Sequence, residues 1–279
     1  MKLKNILVPL DFSRCSDNAL SYAIELAQKC NGRLTLLHCY SLQMPAAEMT
    51  VDIHPELVKE YQQTAERNFS HLKQTTPALE KVAYDEIIEI SFVRDGILEM
   101  AAKTEADLIV MGTKGADNRL DDFFGTNTYH TVRKAKVPVL AIPEEVRFKP
   151  YKKILFASDF KHVEDMNQLE VVRILATYYH AEVQILHVGE GWGELNEHKN
   201  KETAAIVSYF GTMEHSYHFV EEKTEVGRAI ERHLKEHENE LLVLIARKHY
   251  FPGSLFRKGL TREIVLHKEL PILALPELL

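Results

Sequence analysis

The sequence predicts an α/β protein of two doubly wound domains, each a five-stranded parallel sheet flanked by helices. Three observations predict it. The chain repeats itself. KNILVPLDFS at 4–13 returns as KKILFASDFK at 152–161, and GRLTLLHCY at 32–40 as AEVQILHVG at 181–189. ADLIVMGTKG at 106–115 returns as NELLVLIARKH at 239–249, and KVPVLAIP at 136–143 as ELPILALP at 269–276. The blocks keep their order, and their offsets drift from about 148 down to 133, as in a duplicated unit. Within each unit, short apolar runs alternate with stretches whose apolar residues recur every three or four positions. Strands that alternate with helices pair in parallel through right-handed crossovers. Finally, 279 residues that are 45% apolar supply two ordinary cores. The join falls in the charged stretch EEVRFKPYKK, which sets domains of 1–147 and 148–279.

The elements follow in order. ILVPL is apolar, rich in branched residues and closed by Asp11, which marks a buried strand. Leu20, Ala23, Ala27 and Cys30 then share one helix face, with Ser13 as N-cap and NGR as the stop. LTLLHCY is the second strand. After a loop with Pro45, Leu57, Tyr61, Ala65, Phe69 and Leu72 form one helical stripe. IIEISFV reads as the third strand, and Ile97, Met100 and Ala101 begin the next helix. LIVMG is the fourth strand. A helix from about Thr126 to Lys134 leads into VPVLAI, the fifth. In the second copy, Leu169, Val172, Ala176 and Tyr179 repeat the spacing of the first helix.

Several classes are disfavoured. A net charge of −7 argues against a broad nucleic-acid face, which needs clustered Lys and Arg. Cys15, Cys30 and Cys39 are odd in number and confined to the first forty residues, unlike a disulfide framework. They fit a reducing compartment. The first apolar run is too short for a membrane span or a signal segment, so a soluble cytoplasmic protein is expected, with no membrane partner.

Three of only twelve glycines, Gly112, Gly115 and Gly125, stand at G-x2-G-x9-G-T, with Thr126 completing the pattern. Gly112 ends the fourth strand, and Gly125 precedes the next helix. In open α/β sheets, ligands sit at the carboxyl ends of strands, and a helix N-terminus presents free N–H groups to phosphate. A glycine there removes a Cβ that would block the approach, while Lys114 and Arg119 could supply countercharge. The bland alternative is two ordinary turns. There is neither a G-x-x-x-x-G-K-[ST] loop nor a G-x-G-x-x-G after the first strand.

On these residues the chain resembles a tandem universal stress protein. That family carries G-x2-G-x9-G-[ST] after an apolar DLIVMG, a first strand ending in Pro-x-Asp, LLHV in the second strand and PVL in the last. The resemblance implies an ATP site in the first domain, where ATP binds, with or without Mg. Pro9, Leu10 and Asp11 would border adenine and ribose, and Cys39 would meet adenine through its main chain. Met111, Gly112, Lys114 and Gly115 would lie beneath ribose and phosphates. Gly125, Thr126, Asn127 and Thr128 would form the phosphate-binding helix start. Asp121 and Asp122 could hold a divalent ion or form a solvated acidic loop; Phe123 and Phe124 would pack that loop onto the domain. No catalytic residue is assigned.

The second copy departs from the pattern. Ala246 and His249 replace the first two glycines, and Leu260 replaces the threonine after Gly259; Asp159 and Val188 are kept. One nucleotide site per chain is therefore expected. The last strands, VPVLAI and LPILAL, are apolar potential edges, and family members dimerise through this strand. Pairing between the two halves, or a homodimer, is implied. The favoured function is an ATP-binding stress-response or regulatory protein. The alternatives are a slow Mg-dependent ATPase and a dimerisation module without nucleotide.

Ten of the fourteen histidines lie in the second half. His215-x2-His218 and His233-x3-His237 have metal-compatible spacings. The charged run ERHLKEHENE around the second pair reads more simply as a solvated face. His38 and His187 read as satisfied structural histidines. Cys15 reads as a buried or idle thiol near a helix start, and Trp192 as a loop residue beside the second copy's altered pocket.

Overall fold

The computed structural model describes residues 3–41, 55–114, 124–158, 166–189, 204–206, 208–222, 226–246 and 270–277. Among them, ten strands form one sheet: β1 (Asn5–Pro9), β2 (Arg33–Tyr40), β3 (Ala83–Ile90), β4 (Leu108–Gly112), β5 (Val139–Ile142), β6 (Lys153–Ala157), β7 (Glu182–Gly189), β8 (His215–Glu221), β9 (Leu241–Ala246) and β10 (Ile272–Pro276). Their spatial order is β3-β2-β1-β4-β5-β10-β9-β6-β7-β8. Each half has five parallel strands in the order 3-2-1-4-5. The halves meet where β5 and β10 run antiparallel, with Leu273 opposite Leu140 and Ile272 opposite Ala141.

Helices cover both faces: α1 (Arg14–Cys30), α2 (Pro55–Thr75), α3 (Val93–Lys103), α4 (Thr126–Lys134), α5 (Glu170–Tyr179) and α6 (Val226–Glu236). A strand buried on both sides has no polar face. So Ile6 and Val8 enter one core layer and Leu7 the opposite one, as the two-residue period of a strand requires. Helix α1 starts at Ser13, whose hydroxyl accepts from the Ser16 amide at 3.2 Å. It stops at Asn31, which takes the left-handed conformation (φ 53°) and returns its N–H to the Ala27 carbonyl.

Three sequence expectations need correction. The third strand is Ala83–Ile90, four residues earlier than IIEISFV. Its register against β2 is set from Arg33↔Ala83 onward, and an Arg33–Asp85 ion pair crosses the strands at 2.7 Å. Phe92 lies beyond the strand and starts α3. The α2 stripe buries only Ala65, Phe69 and Leu72, while Leu57 and Tyr61 are exposed. Tyr61 stacks on Tyr40 instead. Leu169 closes a 3-10 turn (Met166–Leu169) and stands just before α5.

The charged join is packed down rather than loose. The Asn18 side chain donates to the carbonyls of Pro143 and Val146, and Tyr22 donates to that of Arg147. Arg147 donates back to Asn18 at 2.8 Å. Phe148 lies among the rings of Tyr22, Tyr151 and Tyr179, and Tyr151 is fully enclosed. Helix α1 of the first half and α5 of the second thus grip one connecting segment.

Candidate functional site

In each half the chain leaves the first strand toward one side of the sheet and returns on the other. The strand order therefore reverses between β1 and β4, which makes their carboxyl ends the crevice where open α/β sheets take ligands. The predicted residues that can be described assemble there. Pro9, Leu10 and Asp11 continue β1, Met111 and Gly112 end β4, and Lys114 follows half-buried. Cys39 is at the corresponding end of β2.

The loop after β1 is pinned. The Leu10 amide donates to the Leu37 carbonyl at 2.8 Å, and the Leu10 carbonyl lies 2.8 Å from His38 Nδ1. Phe12 (φ 58°) turns its ring onto His38 and Phe69. Asp11 is exposed, with one carboxylate oxygen accepting from the Ser13 amide at 3.0 Å. Cys39 buries its thiol among the second core layer under α3, where burial pushes its pKa up and a Ser91 hydrogen bond only partly opposes. What Cys39 offers a ligand is main chain.

Helix α4 begins beside the end of β4. The Gly125 amide donates to the Thr113 carbonyl at 2.6 Å, and the Thr128 hydroxyl donates to the Gly112 carbonyl at 2.8 Å. Gly125 is the N-cap and provides no side-chain cap. The first amides of a helix have no intrahelical partner and carry the positive end of its dipole. Thr126 and Asn127 are exposed at that tip.

Two roles change. The Thr128 hydroxyl is buried and committed to Gly112, so it latches the helix to the strand and is not available to a phosphate. Gly112 is required by internal packing. A Cβ there would come within 2.8 Å of Cys15 Sγ and 3.1 Å of the Cys15 main chain. Gly125 is different: its φ of −60° and ψ of 161° suit any residue, so conformation does not demand glycine. Gly115, Arg119, Asp121, Asp122 and Phe123 lie outside the described residues. Phe124 is buried, and belongs to an apolar cluster that runs from Ala141 of the first half to Leu242 and Ile272 of the second. That shared cluster carried no sequence signal.

Cys15 is buried, and its thiol donates weakly to the Ile142 carbonyl. Burial raises its pKa despite amide hydrogen bonds from Lys114 and Thr113, so it is a thiol and not an activated thiolate.

In the second half, His187 Nδ1 lies 3.0 Å from the Ser158 carbonyl, the counterpart of the His38 contact. Val188 follows it in β7, and Ala246 ends β9 where Gly112 ends β4. Asp159, Trp192, His249, Gly259 and Leu260 lie outside the described residues.

The profile of the Universal stress protein family matches residues 2–143. The chain belongs to this family. It is 28% identical over 149 residues to a universal stress protein of Methanocaldococcus jannaschii, a match covering 50% of this chain and 81% of that one. It is also 28% identical over 145 residues to a universal stress protein A homolog of Coxiella burnetii, covering 51% and 97%. Among solved structures, a universal stress protein from Archaeoglobus fulgidus follows the fold along 99% of this chain and 97% of its own, with a TM-score of 0.73 at 18% identity. One from Pseudomonas aeruginosa does so along 98% and 93%, with a TM-score of 0.60 at 17% identity. No helix among the described residues is long and apolar enough to cross a membrane.

Proposed function

We propose that this universal stress protein family member is an ATP-binding regulator of the stress response, with two family domains, 1–147 and 148–279, and one nucleotide site in the first. The supporting observation is the bare tip of α4. Gly125 stands where Ser, Thr, Asp or Asn would cap the helix, and its backbone conformation gives no reason for glycine. An anion at that tip would satisfy the first-turn amides and the dipole together. Lys114 directly follows Thr113, whose carbonyl holds the Gly125 amide, and Asp11 just after β1 can accept from ribose hydroxyls or the adenine amino group.

The site's neighbours suggest how binding is read out. Phe124, directly before the capping glycine, belongs to a core cluster that spans both halves. A nucleotide that orders the α4 tip would press on the other half through that ring. Strands β5 and β10 cover each other, so the dimerising surface implied by the family resemblance is met inside one chain. The three described cysteines are free thiols, which suits a reducing cytoplasm.

Equilibrium dialysis of ATP against the full chain tests this. One ATP per chain is expected, with binding lost in Gly125→Asp. That variant caps the helix itself and sets a carboxylate where the phosphate would go. A flat titration, or two ATP per chain, overturns the one-site reading.

A further inference from the structure

Helix α6 meets the outer edge of the sheet through histidines. His233 is the eighth residue of the 11-residue α6, and His218 is the fourth of β8. His237 follows one turn after His233. Their ring centroids lie 4.3 Å (His233–His237), 4.8 Å (His218–His233) and 5.4 Å (His218–His237) apart. One ligand nitrogen from each falls within 4.8 Å of the others. His215, whose spacing to His218 drew attention in the sequence, is not in the cluster; its Nδ1 lies 3.0 Å from the Met213 carbonyl. Nor is the α6 face solvated: His233 is 4% exposed, and its Nε2 is buried with no hydrogen-bond partner.

The first half shows what this position needs for packing alone. Helix α3 is also 11 residues long, and its eighth residue is Met100. The strand position that pairs with Leu37 in β2 is Ile87, just as His218 pairs with Leu186 in β7. Ile87 and Met100 belong to one apolar cluster. The same frame therefore closes well with hydrocarbon. Replacing that contact with imidazoles, one of them buried with an unsatisfied nitrogen, is unfavourable unless something takes the lone pairs.

The surroundings orient the rings. The Ser216 hydroxyl donates its one hydrogen to Glu182, so at 3.1 Å it accepts from Nε2–H of His218. That network assigns the proton to Nε2 and leaves the Nδ1 lone pair of His218 free. A carboxylate–hydroxyl–histidine chain of this kind is how outer residues fix a ligand's tautomer. Burial first, then the neighbouring His237 and His218, lowers the His233 pKa to about 4.

We propose that His218, His233 and His237 form a binding site for a divalent transition-metal ion of the zinc class. Imidazole ligands suit that class, and a tetrahedral ion takes three of them plus a water. Bonds of about 2.0–2.1 Å place ligand nitrogens roughly 3.3 Å apart, so the rings must draw in by about 1.5 Å. Side-chain rotation supplies that. The bound ion would clip α6 to the edge strand β8. The site lies on the outermost strand of the second half and is independent of the nucleotide reading.

The test is Zn²⁺ titration of the metal-free full chain against a chromophoric chelator, with Co²⁺ absorption reporting the geometry. One ion per chain is expected, with a tetrahedral Co²⁺ spectrum. His237→Ala and His218→Ala should each weaken binding by more than about 100-fold, and Ser216→Ala by about 10-fold, the range of an outer partner. His215→Ala should leave binding unchanged. The double variant His218→Ile/His233→Met restores the first half's residues, so it should fold yet bind no ion, and Zn²⁺ should no longer raise its unfolding midpoint. Absence of tight binding in the wild type, or full-strength binding in that double variant, overturns the proposal.

Discussion

His38 and His187 hold the same backbone position in the two halves, each with Nδ1 against the carbonyl that follows the first strand. Gly112 and Ala246 also end equivalent strands, yet they differ. The retained pair shows what the frame needs: a donor that fixes the turn leaving β1 or β6. The divergent pair shows what one half needs for its own contents. In the first half α1 comes so close to β4 that a Cβ at 112 would strike Cys15. In the second half the equivalent strand end carries a methyl group, and polarity gathers instead at the α6–β8 contact. Two halves of the same strand order share these fold-bearing contacts and differ in the rest.

The seam between the halves is where breaking the comparison has the largest effect. Leu140 and Leu273 face each other across the antiparallel join, and both are fully buried. Leu273→Lys would bury an unpaired charge, at a cost of several kcal/mol. Loss of cooperative folding in urea is expected, affecting both halves together. Unchanged unfolding would show that the seam is not shared.

Nucleotide binding should separate the halves next. Gly125→Asp should lower ATP affinity at least about 100-fold, close to 3 kcal/mol, while leaving the unfolding midpoint the same or slightly higher because an N-cap has been gained. Calorimetry and thermal unfolding on one sample measure both. A parallel loss of affinity and stability would show that Gly125 serves the fold.

The third comparison concerns the two strand ends themselves. Gly112→Ala should destabilise by about 2 kcal/mol, the range for overpacking. Cys15→Ala should rescue only part of it, because Cys15 main-chain atoms also stand 3.1 Å from the added carbon. Ala246→Gly should cost under about 1 kcal/mol, the entropy of a strand glycine. Denaturant titration of the three variants measures this; equal costs at 112 and 246 would erase the distinction.

Much of this frame was legible in the sequence, for a physical reason. Buried parallel strands must be apolar throughout, so ILVPL and LIVMG announce themselves, and Ser13 and Asn31 mark the ends of α1. Polar edge strands lack that signal: β3 begins with Ala83–Glu86, whose meaning comes from pairing with β2 rather than from their own pattern. The candidate nucleotide region was legible as a glycine spacing, but the reason for each glycine was not. Gly112 answers to a cysteine 97 positions away in sequence, and Gly125 to nothing in its own backbone. The histidine cluster was half legible. The i, i+4 pair, His233 in α6 and His237 just past its end, is visible in sequence, and so is His218, but nothing in the spacing joins His218 to them rather than to His215. The charged neighbours hid its burial, because Arg232, Lys235 and Glu236 are on other faces of the same helix.

The smallest contrast is at the starts of α1 and α5. Helix α1 is capped by the Ser13 hydroxyl, which has no charge to lose. Both helices carry an acid in the first turn, Asp17 and Glu170, where a carboxylate favours the helix dipole, but α5 follows Leu169 with no side-chain cap. Arg173 hydrogen bonds hold the Glu170 carboxyl down at about 2 from the ordinary 4.5, against the opposing effect of burial and with help from the Tyr209 hydroxyl. A carboxyl depressed in the folded state stabilises above its unfolded pKa, and the contribution fades as pH falls through the folded value. The window is therefore pH 4.5 down to about 2. Unscreened, that shift would amount to roughly 3 kcal/mol; Arg173 is 41% exposed, and solvent screening reduces it to about 1 kcal/mol. Urea titrations of wild type and Glu170→Gln at pH 5 and pH 3 should show the variant losing less stability on acidification by roughly half that amount, because pH 3 lies midway through the window. Ser13→Ala should cost about 1 kcal/mol equally at both pH values. If both variants respond to acid alike, the two helix starts are stabilised in the same way after all.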